Sequence, residues 1–337
     1  MKIAVSGLNN TDNPSPGIPV IKSLLENHQV IGLSYDTNEP GNYMGLSQKV
    51  FLMPYPSLGY EELKKRLQDI KNETDIEALI PNLDAELPLY IKHQDEFEQM
   101  GIKLCLPSLE NFKLSNKKRL GGLSKELGIK YPKTYEVSSQ EELTKVVDTL
   151  EYPIMVKGNY YKAYKVSNLD LAIDSFYQIS NEWGFPVLVQ EVVDGEELNL
   201  VGVGNGKGEL SGAVAIKKLT TTSLGKIWTG ITIQNQKLMQ IAQKFVAYTK
   251  WKGPFELECI ANHQEIYMIE INPRFPAWVH FATDIGVNLP QMVVEIMQDK
   301  TVKPVLEYPS NKMYVRYTGE LVTDFTDFLK LFSQKEL

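Results

Sequence analysis

The sequence predicts an α/β unit followed by an α+β unit, and three observations support that fold class. Over residues 1–110, short apolar strands alternate with helical stretches, the pattern of a parallel sheet with helical crossovers. Beyond Pro132, strand-like segments dominate. At 255–271, two apolar runs flank a short polar turn, which indicates an antiparallel hairpin.

The N-terminal region is predicted to end its strands at a ligand-binding edge. Strands are expected at 3–5, 30–35, 78–80 and 103–106, and helices at 18–26, 60–71 and 87–100. Ligands of parallel sheets lie just past the carboxyl ends of the strands. Asp84 and Glu86 follow the third strand and are candidates to bind an amine. A helix N-cap in the segment Asp-Ala-Glu is the simpler alternative.

The remainder of the chain is predicted to mix antiparallel strands with helices. Strands are expected at 134–137, 153–157, 187–193, 198–203, 210–217, 255–260 and 265–271, and helices at 115–127, 140–150, 169–180 and 236–249. Gly128 follows the first of these helices and suits a C-cap.

Composition excludes several classes of protein. The formal net charge of −7 argues against binding to nucleic acid, which needs concentrated Lys and Arg. Cys105 and Cys259 lie in apolar surroundings and are expected to be reduced core residues of a cytosolic protein. We expect no signal peptide, because the N-terminus leads straight into a strand at 2–5 without an apolar h-region. We also expect no membrane span, because the sequence has no apolar run of ~18 residues.

The strongest chemical signal is a set of oxygen-bearing side chains in the hairpin at 255–271. Glu270 and Asn272 lie two apart on one strand and therefore face the same side. Glu258 lies on the neighbouring strand, so the three side chains are candidates to converge. Carboxylate and amide oxygens suit Mg²⁺, which usually takes one or two carboxylates together with substrate phosphates. Solvent-facing acids at strand ends are the alternative.

Several segments resemble the ATP-grasp superfamily in order and spacing. The stretch from Glu258 to Arg274 resembles its metal-binding end, where two acidic residues and an Asn-Pro-Arg motif hold two magnesium ions. The other matching segments are the helix that begins at 116–117, the strand 152–157 and the strand with its extension 187–197.

The resemblance implies a fold, a set of ligands and a domain organisation. It implies a Rossmann-like pre-ATP-grasp domain at 1–110, a small lid subdomain with its linking helix at 111–188, and a C-terminal subdomain at 189–337. The expected ligands are ATP and Mg²⁺, with Mn²⁺ as a substitute.

The resemblance also implies a role for individual residues. The nucleotide-binding residues are expected to be Lys117, Lys157, Gln190, Glu191, Val192, Val193 and Glu197, and the metal ligands Glu258, Glu270 and Asn272. Arg274 is expected to neutralise the transferring phosphoryl group. Lys217 is weakly favoured over Lys218 as a second catalytic cation, because adjacent strand residues face opposite ways.

Structural alternatives stay open for several of these residues. Lys117 is also compatible with a solvated helix face, and Glu191 with an interstrand salt bridge. Glu197 is nearly as compatible with an exposed turn. Arg274 is also compatible with a structural ion pair to Glu270 or Glu258.

Two departures from the family pattern bear on specificity. The segment 158–165 has only one glycine, so Lys162 or Lys165 is a candidate to replace backbone amides as a phosphate ligand. After the Asn-Pro-Arg motif, Phe275 and Trp278 stand where relatives have small residues. They are expected either to border the acceptor site or to pack in the core.

The resemblance implies an ADP-forming ligase that joins a carboxylate to an amine through an acyl phosphate. The substrates are expected to be a small-molecule or peptide carboxylate and an amine. A carboxyphosphate-forming carboxylase and a non-catalytic ATP-binding module are the alternatives. Nucleic acid and membranes are not expected partners, whereas a second copy of the chain stays open as one.

Overall fold

The computed structural model describes residues 1–158, 162–263 and 265–337, and the packing of the Cα trace divides them into two compact units. The first unit comprises Met1–Phe112, Asn199–Glu256 and Asn272–Leu337. The second comprises Lys113–Leu198 and Leu257–Ile271. Both units are discontinuous along the chain, which differs from the three consecutive domains expected from the sequence.

The first unit begins with a parallel sheet of spatial order β3-β2-β1-β4. Its strands are β1 (Lys2–Ser6), β2 (Gln29–Ser34), β3 (Lys49–Leu52) and β4 (Ala78–Ile80). The helices of this region are α1 (Gly17–Leu24), α2 (Tyr60–Thr74), α3 (Leu87–Lys92), α4 (Gln94–Gln99) and α5 (Leu109–Leu114), with short 3₁₀ helices at Pro40–Tyr43 and Pro56–Leu58. The central strands are almost wholly buried, as expected for a sheet covered on both faces.

The structure differs from the prediction at three places in this region. The helix expected at 87–100 is two helices, because the backbone leaves the helical conformation at His93. The strand expected at 103–106 is reduced to a single bridge between Lys103 and Ala78. Strand β3, of which Val50 and Phe51 are buried, was not predicted from the sequence.

A six-stranded sheet of order β13-β12-β9-β10-β11-β14 follows. Its strands are β9 (Glu196–Asn205), β10 (Leu210–Thr221), β11 (Ile227–Thr232), β12 (Lys252–Ala261), β13 (Ile266–Asn272) and β14 (Met313–Val315). The accompanying helices are α9 (Gln236–Thr249), α10 (Val279–Asp284), α11 (Leu289–Met297) and α12 (Phe325–Gln334). The chain passes from one unit to the other inside β12 and again inside β13.

The second unit contains an antiparallel sheet of order β5-β8-β6-β7. Its strands are β5 (Thr134–Val137), β6 (Ile154–Lys157), β7 (Ala163–Val166) and β8 (Val187–Glu191). Its helices are α6 (Lys117–Leu127), α7 (Gln140–Val147) and α8 (Leu169–Trp183). The apolar faces of α7 and α8 pack with the sheet in one core that includes Leu143, Val156 and Phe176.

Both ends of α6 carry the residues that stop a helix. The Asn116 side chain accepts a hydrogen bond from the Lys118 amide, and Gly128 has a φ of +68° at the C-terminal end. The expected C-cap at Gly128 is therefore confirmed. This helix places Lys117 at its first turn.

Cys105 and Cys259 are free and buried, in agreement with the expectation for core cysteines. Burial raises the pKa of the Cys105 thiol to about 12 and the pKa of the Cys259 thiol further still. None of the helices in the described part of the chain is long and apolar enough to span a bilayer.

Candidate functional site

Lys157 ends β6 in the second unit and is held there by a chain of side-chain hydrogen bonds. Its Nζ donates to Gln190 Oε1 at 2.7 Å, and Gln190 Nε2 donates to Thr134 Oγ1 at 2.7 Å. The antiparallel register explains the contact, since Met155 pairs with Gln190 and Lys157 lies two residues further along β6. The ammonium group is therefore fixed in place.

The pKa of Lys157 is lowered to about 8, chiefly by burial and also by the neighbouring ammonium of Lys117. The carboxylates of Glu270 and Glu258 act in the opposite direction and offset only a part of this shift. The surrounding negative charge is thus too weak to offset the cost of burying the cation. A site with this imbalance favours an added anion.

Lys117 and Glu270 form an ion pair in the same unit, with 3.2 Å between Nζ and Oε1. The Lys117 side chain is only 17% exposed, so the alternative of a solvated helix face does not describe it. The Tyr131 hydroxyl donates to the Lys117 carbonyl and attaches the start of α6 to the segment before β5. The second unit therefore brings together four of the predicted residues, Lys117, Lys157, Glu258 and Glu270.

The predicted adenine-binding segment is the end of β8 and the turn that follows it. Gln190 is buried and points its side chain at Lys157, while Glu191, Val192 and Val193 are half-buried. The Glu191 carboxylate accepts from the Lys133 amide at 2.9 Å and so joins β8 to the start of β5. Glu191 thus links the two strands through a hydrogen bond to a backbone amide, whereas the alternative considered above was a salt bridge between strands. Glu197 is exposed on β9.

Asn272 and Arg274 belong to the first unit, and each has a partner that the sequence did not predict. Asn272 Nδ2 donates to Glu256 Oε2 at 2.9 Å. Glu256 is 4% exposed and also accepts from Asn199 Nδ2 at 2.7 Å and from Trp278 Nε1 at 2.9 Å. A signal was present in the sequence, because Glu256 interrupts an apolar strand two residues before Glu258.

Arg274 binds Asp84 through two parallel hydrogen bonds. Nε and Nη2 of the guanidinium donate to the two carboxylate oxygens, each at 2.9 Å, and Nη1 donates to the Phe275 carbonyl. The Arg274 side chain is 12% exposed. Asp84, expected as an amine ligand, is thus the residue that orients Arg274.

Glu86 and Trp278 are buried, which corrects their expected contact with substrate. Glu86 has no exposed surface, and its carboxylate accepts from Ser6, Tyr35 and the amides of Asn82 and Leu83. It therefore stabilises the loop after β4. Glu86 stands at the N-cap position of α3, as the alternative held, but its side chain forms no capping hydrogen bond to the helix. Trp278 is 3% exposed and packs in the core with its indole directed at Glu256.

Lys217 and Lys218 are both half-buried on β10, and they pair with Ile231 and Gly230 of β11. A register shift follows Lys218. The preference for Lys217 stays a prediction.

The loop at 158–165 is described only in part, because residues 159–161 lie outside the described residues. Lys162 has a φ of +65° and forms an ion pair with Glu182. Lys165 is exposed on β7, where it pairs with Met155 of β6. Neither lysine shows a feature that marks it as a phosphate ligand.

The chemistry of the predicted ligand set fits a hard divalent cation. Within the described ranges, no group of three or more His, Cys, Asp and Glu residues is suited to hold a metal. The predicted metal ligands include only two such residues, Glu258 and Glu270, together with the Asn272 amide. Mg²⁺ accepts such a set when phosphate oxygens and water supply its other ligands.

Comparisons with known proteins find one family model and several curated relatives that are similar to parts of this chain. A family model described as ATP-grasp in the biosynthetic pathway with Ter operon matches residues 185–320. The C-terminal section of the carbamoyl phosphate synthase large chain of Aquifex aeolicus is 24% identical over 295 residues, which are 81% of this chain and 53% of that protein. The large chain of Clostridium acetobutylicum is 25% identical over 225 residues, which are 62% of this chain and 21% of that protein.

Solved structures share the fold at low sequence identity. The biotin carboxylase domain of the Hydrogenobacter thermophilus 2-oxoglutarate carboxylase, solved as a dimer with MgADP, ADP and bicarbonate, has a TM-score of 0.71 at 14% identity and covers 93% of this chain and 73% of its own. The L-amino acid ligase from Bacillus licheniformis has a TM-score of 0.66 at 14% identity and covers 90% of this chain and 77% of its own. The chain spans between about a fifth and about half of the length of the two curated relatives above.

Proposed function

We propose that this chain, which belongs to the ATP-grasp superfamily, is a ligase that uses ATP to join a carboxylate to an amine and releases ADP and phosphate. The observation that supports it best is the charged cluster of the second unit. Two lysines, Lys117 and Lys157, and two glutamates, Glu258 and Glu270, act on one another there. Such a cluster suits a polyphosphate accompanied by a divalent cation.

The lysines are proposed to bind the phosphates of ATP. Lys157 is already oriented by Gln190, so binding a phosphate would immobilise little additional side chain. Its lowered pKa indicates a buried cation whose charge is not fully balanced, and a phosphate would supply the missing negative charge. Lys117 would exchange Glu270 for phosphate as its partner.

The nucleoside is proposed to lie along the end of β8. Backbone groups from Gln190 to Val193 would bind adenine, with the Glu191 side chain keeping the strand end attached to β5. Glu197 would accept the ribose hydroxyls. The assignment of the segment from Gln190 to Val193 and of Glu197 to the nucleoside follows from the family resemblance.

Mg²⁺, or Mn²⁺ in its place, would be held by Glu258, Glu270 and Asn272. When bound, the metal would neutralise charge on the β- and γ-phosphates. Glu258 and Glu270 are the carboxylates whose charge acts on Lys157 in the second unit. Asn272 lies two residues after Glu270 on β13, so alternation along the strand supports a shared side.

The substrate carboxylate would attack the γ-phosphate and form an acyl phosphate, and ADP would leave. Arg274 is proposed to stabilise the charge of the transferring phosphoryl group, with Lys217 as a second cation. Asp84 holds the guanidinium through two of its nitrogens, which orients it before substrate arrives. Preorganised charge of this kind lowers the barrier because it need not reorganise during the reaction.

The amine would then attack the carbonyl carbon of the acyl phosphate. The carbon–nitrogen bond forms, the bond from carbon to the phosphate oxygen breaks, and the amine loses a proton. Arg274 would also stabilise the oxyanion of the tetrahedral adduct. The similarity to an L-amino acid ligase makes an amino acid or short peptide a suitable carboxylate to test.

One observation favours a second candidate function. A structurally similar protein is a biotin carboxylase domain bound to bicarbonate, so bicarbonate is a second carboxylate-like substrate to consider. The product of phosphorylation would then be carboxyphosphate. A non-catalytic ATP-binding module is less well supported, because Arg274, Glu258 and Glu270 are all present and Asp84 orients Arg274.

The proposal is tested by measuring ADP and phosphate release from ATP and Mg²⁺ in the presence of pooled amino acids and short peptides. Release that requires both a carboxylate and an amine supports ligation. Release that depends on bicarbonate alone indicates the carboxylase, and ATP binding without turnover in any mixture indicates the binding module.

The metal assignment has its own test in the variant Glu270→Gln. We expect it to fold and to lose turnover, because the amide cannot replace the charge of the carboxylate. Glu126→Gln makes the same change at an exposed position on α6 and should retain activity. Unchanged activity of Glu270→Gln would remove Glu270 from the metal site.

A further inference from the structure

Helix α12 is attached to the first unit at several points. Leu331 has no exposed surface and packs in the core of that unit. Just after the helix, the backbone of Leu337 exchanges two hydrogen bonds with Val50 of β3, at 2.7 and 2.8 Å. Arg66 Nη2 also donates to the Lys335 carbonyl at 2.6 Å. The helix is therefore held in one orientation, with a fixed side toward the protein.

Another side of α12 exposes large apolar residues. Phe325 is 70% exposed, Phe332 66% and Leu329 47%, and Phe328 is half-buried. The ring of Phe328 stacks on that of Phe325 and on that of Phe332, in each case within 9° of parallel. We call these four residues the aromatic face. Because the helix is fixed, it cannot turn this face inward.

The aromatic face has no charge of its own. Asp327 and Lys330 are the charged residues of α12, and at 3.6 residues per turn both lie about half a turn away from Phe325 and Phe332. The whole chain has a net charge of −7, so two copies repel each other over most of their surface. A partner of opposite charge would be recognised through charged side chains. A face without charge instead suits an identical face, because no like charges meet there.

The exposed area is close to that which a dimer requires. Leu321 and Val322, just before α12, are half and almost wholly exposed and extend the apolar surface along the chain. At roughly 150–200 Å² for a fully exposed side chain, these two and the aromatic face offer on the order of 600 Å² per copy. A specific interface buries at least about 1,000 Å² in total, or about 500 Å² per copy. Two such surfaces therefore suffice for a dimer.

We propose that the aromatic face is a homodimer interface, on which α12 of a second copy lies antiparallel. Such a contact is isologous, so both copies use the same residues. Phe325 and Phe332 are seven residues apart, and a two-fold axis between Phe328 and Leu329 places Phe325 of one copy against Phe332 of the other. The antiparallel arrangement also brings opposite ends of the two helix dipoles together. None of the residues assigned to ATP, metal or catalysis lies on α12, so this inference is independent of the proposed function.

The oligomeric state of the full chain tests the interface. We expect sedimentation equilibrium to show a reversible dimer with a Kd on the order of micromolar, as befits a small interface. Phe332→Asp should weaken the dimer by at least about 30-fold, because the two-fold axis buries two introduced carboxylates in apolar surroundings. A monomeric wild type at 100 times that concentration, or an equally strong dimer of Phe332→Asp, would overturn the proposal.

Tyr248→Asp is the matched control. It introduces the same charge at an exposed aromatic residue of another helix, α9. We expect its dimer to be as strong as that of the wild type. A dimer weakened equally by Tyr248→Asp and Phe332→Asp would mean that the added charge acts at a distance, and the aromatic face would not be the interface.

Disulfide cross-linking tests the antiparallel arrangement. Leu329 lies next to the axis, so Leu329→Cys should form a covalent dimer on oxidation. Phe325→Cys should not, because its symmetry mate is about 10 Å away along the helix. Cys105 and Cys259 are buried and should not react. A covalent dimer from Phe325→Cys and none from Leu329→Cys would overturn the proposal, also where Phe332→Asp does not fold.

A bilayer is the other surface on which an exposed aromatic helix can lie. Helices that bind bilayers are usually rich in Lys and Arg on their polar face, whereas α12 has one lysine and one aspartate. We therefore expect the wild type not to sediment with vesicles of phosphatidylcholine and phosphatidylserine. A monomeric wild type that sediments with these vesicles, and a Phe332→Asp variant that does not, would overturn the homodimer in favour of a membrane surface.

Discussion

At the scale of single residues, the candidate site depends on charges held in apolar surroundings. Lys157 is a buried cation, and Glu256 is a buried anion that accepts hydrogen bonds from Asn199, Trp278 and Asn272. Arg274 is partly covered and bound to Asp84. Each arrangement is costly or neutral for folding, and each orients a group that is proposed to meet ATP, metal or substrate.

The lowered pKa of Lys157 predicts a pH-dependent affinity for ATP. The ammonium form binds phosphate, and the pKa of about 8 means that this form is lost as the pH rises through 8. Affinity should be constant below pH 7 and should weaken above pH 8, by at most about tenfold per pH unit. Isothermal titration with ATP and Mg²⁺ from pH 6.5 to 9.5 measures the effect.

Lys157→Arg is the control for that measurement. Arginine stays charged over this whole range, so the variant should lack the loss of affinity above pH 8, even if its binding is weaker throughout. The same pH dependence in Lys157→Arg would mean that another group titrates.

The pairing of Asp84 with Arg274 predicts a kinetic effect of Asp84→Ala. Asp84 is 39% exposed, so its loss should cost only about 1 kcal/mol of stability and the variant should fold. Arg274 would lose its fixed orientation, and kcat should fall by about tenfold or more with little change in the KM for ATP. Asp84→Asn keeps one acceptor oxygen for the guanidinium, so its kcat should lie between those of the wild type and Asp84→Ala. A change in KM for ATP alone would contradict the orienting role.

The residues of the site differ in how far the sequence could predict them. Glu258 and Glu270 were identified as candidate metal ligands from their spacing on two adjacent strands, which is a local property, and that role stays a prediction. Glu86 and Trp278 were placed at the substrate site in the prediction and are buried in the structure. The residues next to Glu86 and Trp278 in the sequence do not indicate whether these side chains are buried, because burial depends on segments far away in the chain.

At the scale of the element, α6 shows how local residues determine where a helix begins and ends. Asn116 and Gly128 cap its two ends, and Lys117 occupies its first position. The predicted helix began at Ser115, whereas the structure has a separate short helix, α5, that ends at Leu114. The end of the helix before Gly128 could be predicted from the sequence, whereas its first residue lies two positions after the predicted one.

Gly128 predicts a stability difference within α6. It has a φ of +68° with open space around the missing side chain, so Gly128→Ala should cost about 1 kcal/mol through backbone strain alone. Gly122 lies inside the same helix, also with open space and without a left-handed φ. Gly122→Ala should therefore stabilise by about 0.5–1 kcal/mol.

Chemical denaturation of both glycine variants checks this pair. Equal effects of the two substitutions would show that backbone conformation is not the cause of the difference.

At the scale of the whole molecule, the two units are interleaved along the chain. Residues 257–271 belong to the second unit although they follow 199–256 of the first. Consecutive boundaries at 110 and 188 were expected from the family resemblance. Which segments share a core is a property of packing, so no composition boundary marks residues 257–271.

Binding of ATP with Mg²⁺ should stabilise the whole protein. A ligand that binds only the folded state stabilises it by about 2.7 kcal/mol at a concentration one hundred times its Kd. We expect ATP and Mg²⁺ together to raise the melting temperature more than ATP with a chelator does. Differential scanning fluorimetry measures both.

Glu270→Gln should lose the magnesium-dependent part of that shift and keep part of the shift caused by ATP, because Lys117 and Lys157 remain. A magnesium-dependent shift of wild-type size in this variant would contradict the assignment of Glu270.

The sequence by itself determined the fold class, most of the strands and helices, and the spacing of Lys117, Lys157, Glu258 and Glu270. These features depend on local periodicity and on residues a fixed distance apart along one element. Only the tertiary structure decided which distant residues meet, as with Asp84 and Arg274, which are 190 positions apart. It likewise decided that Glu256 faces Asn272, since such contacts depend on how the strands pack, and single-sequence patterns do not encode that register.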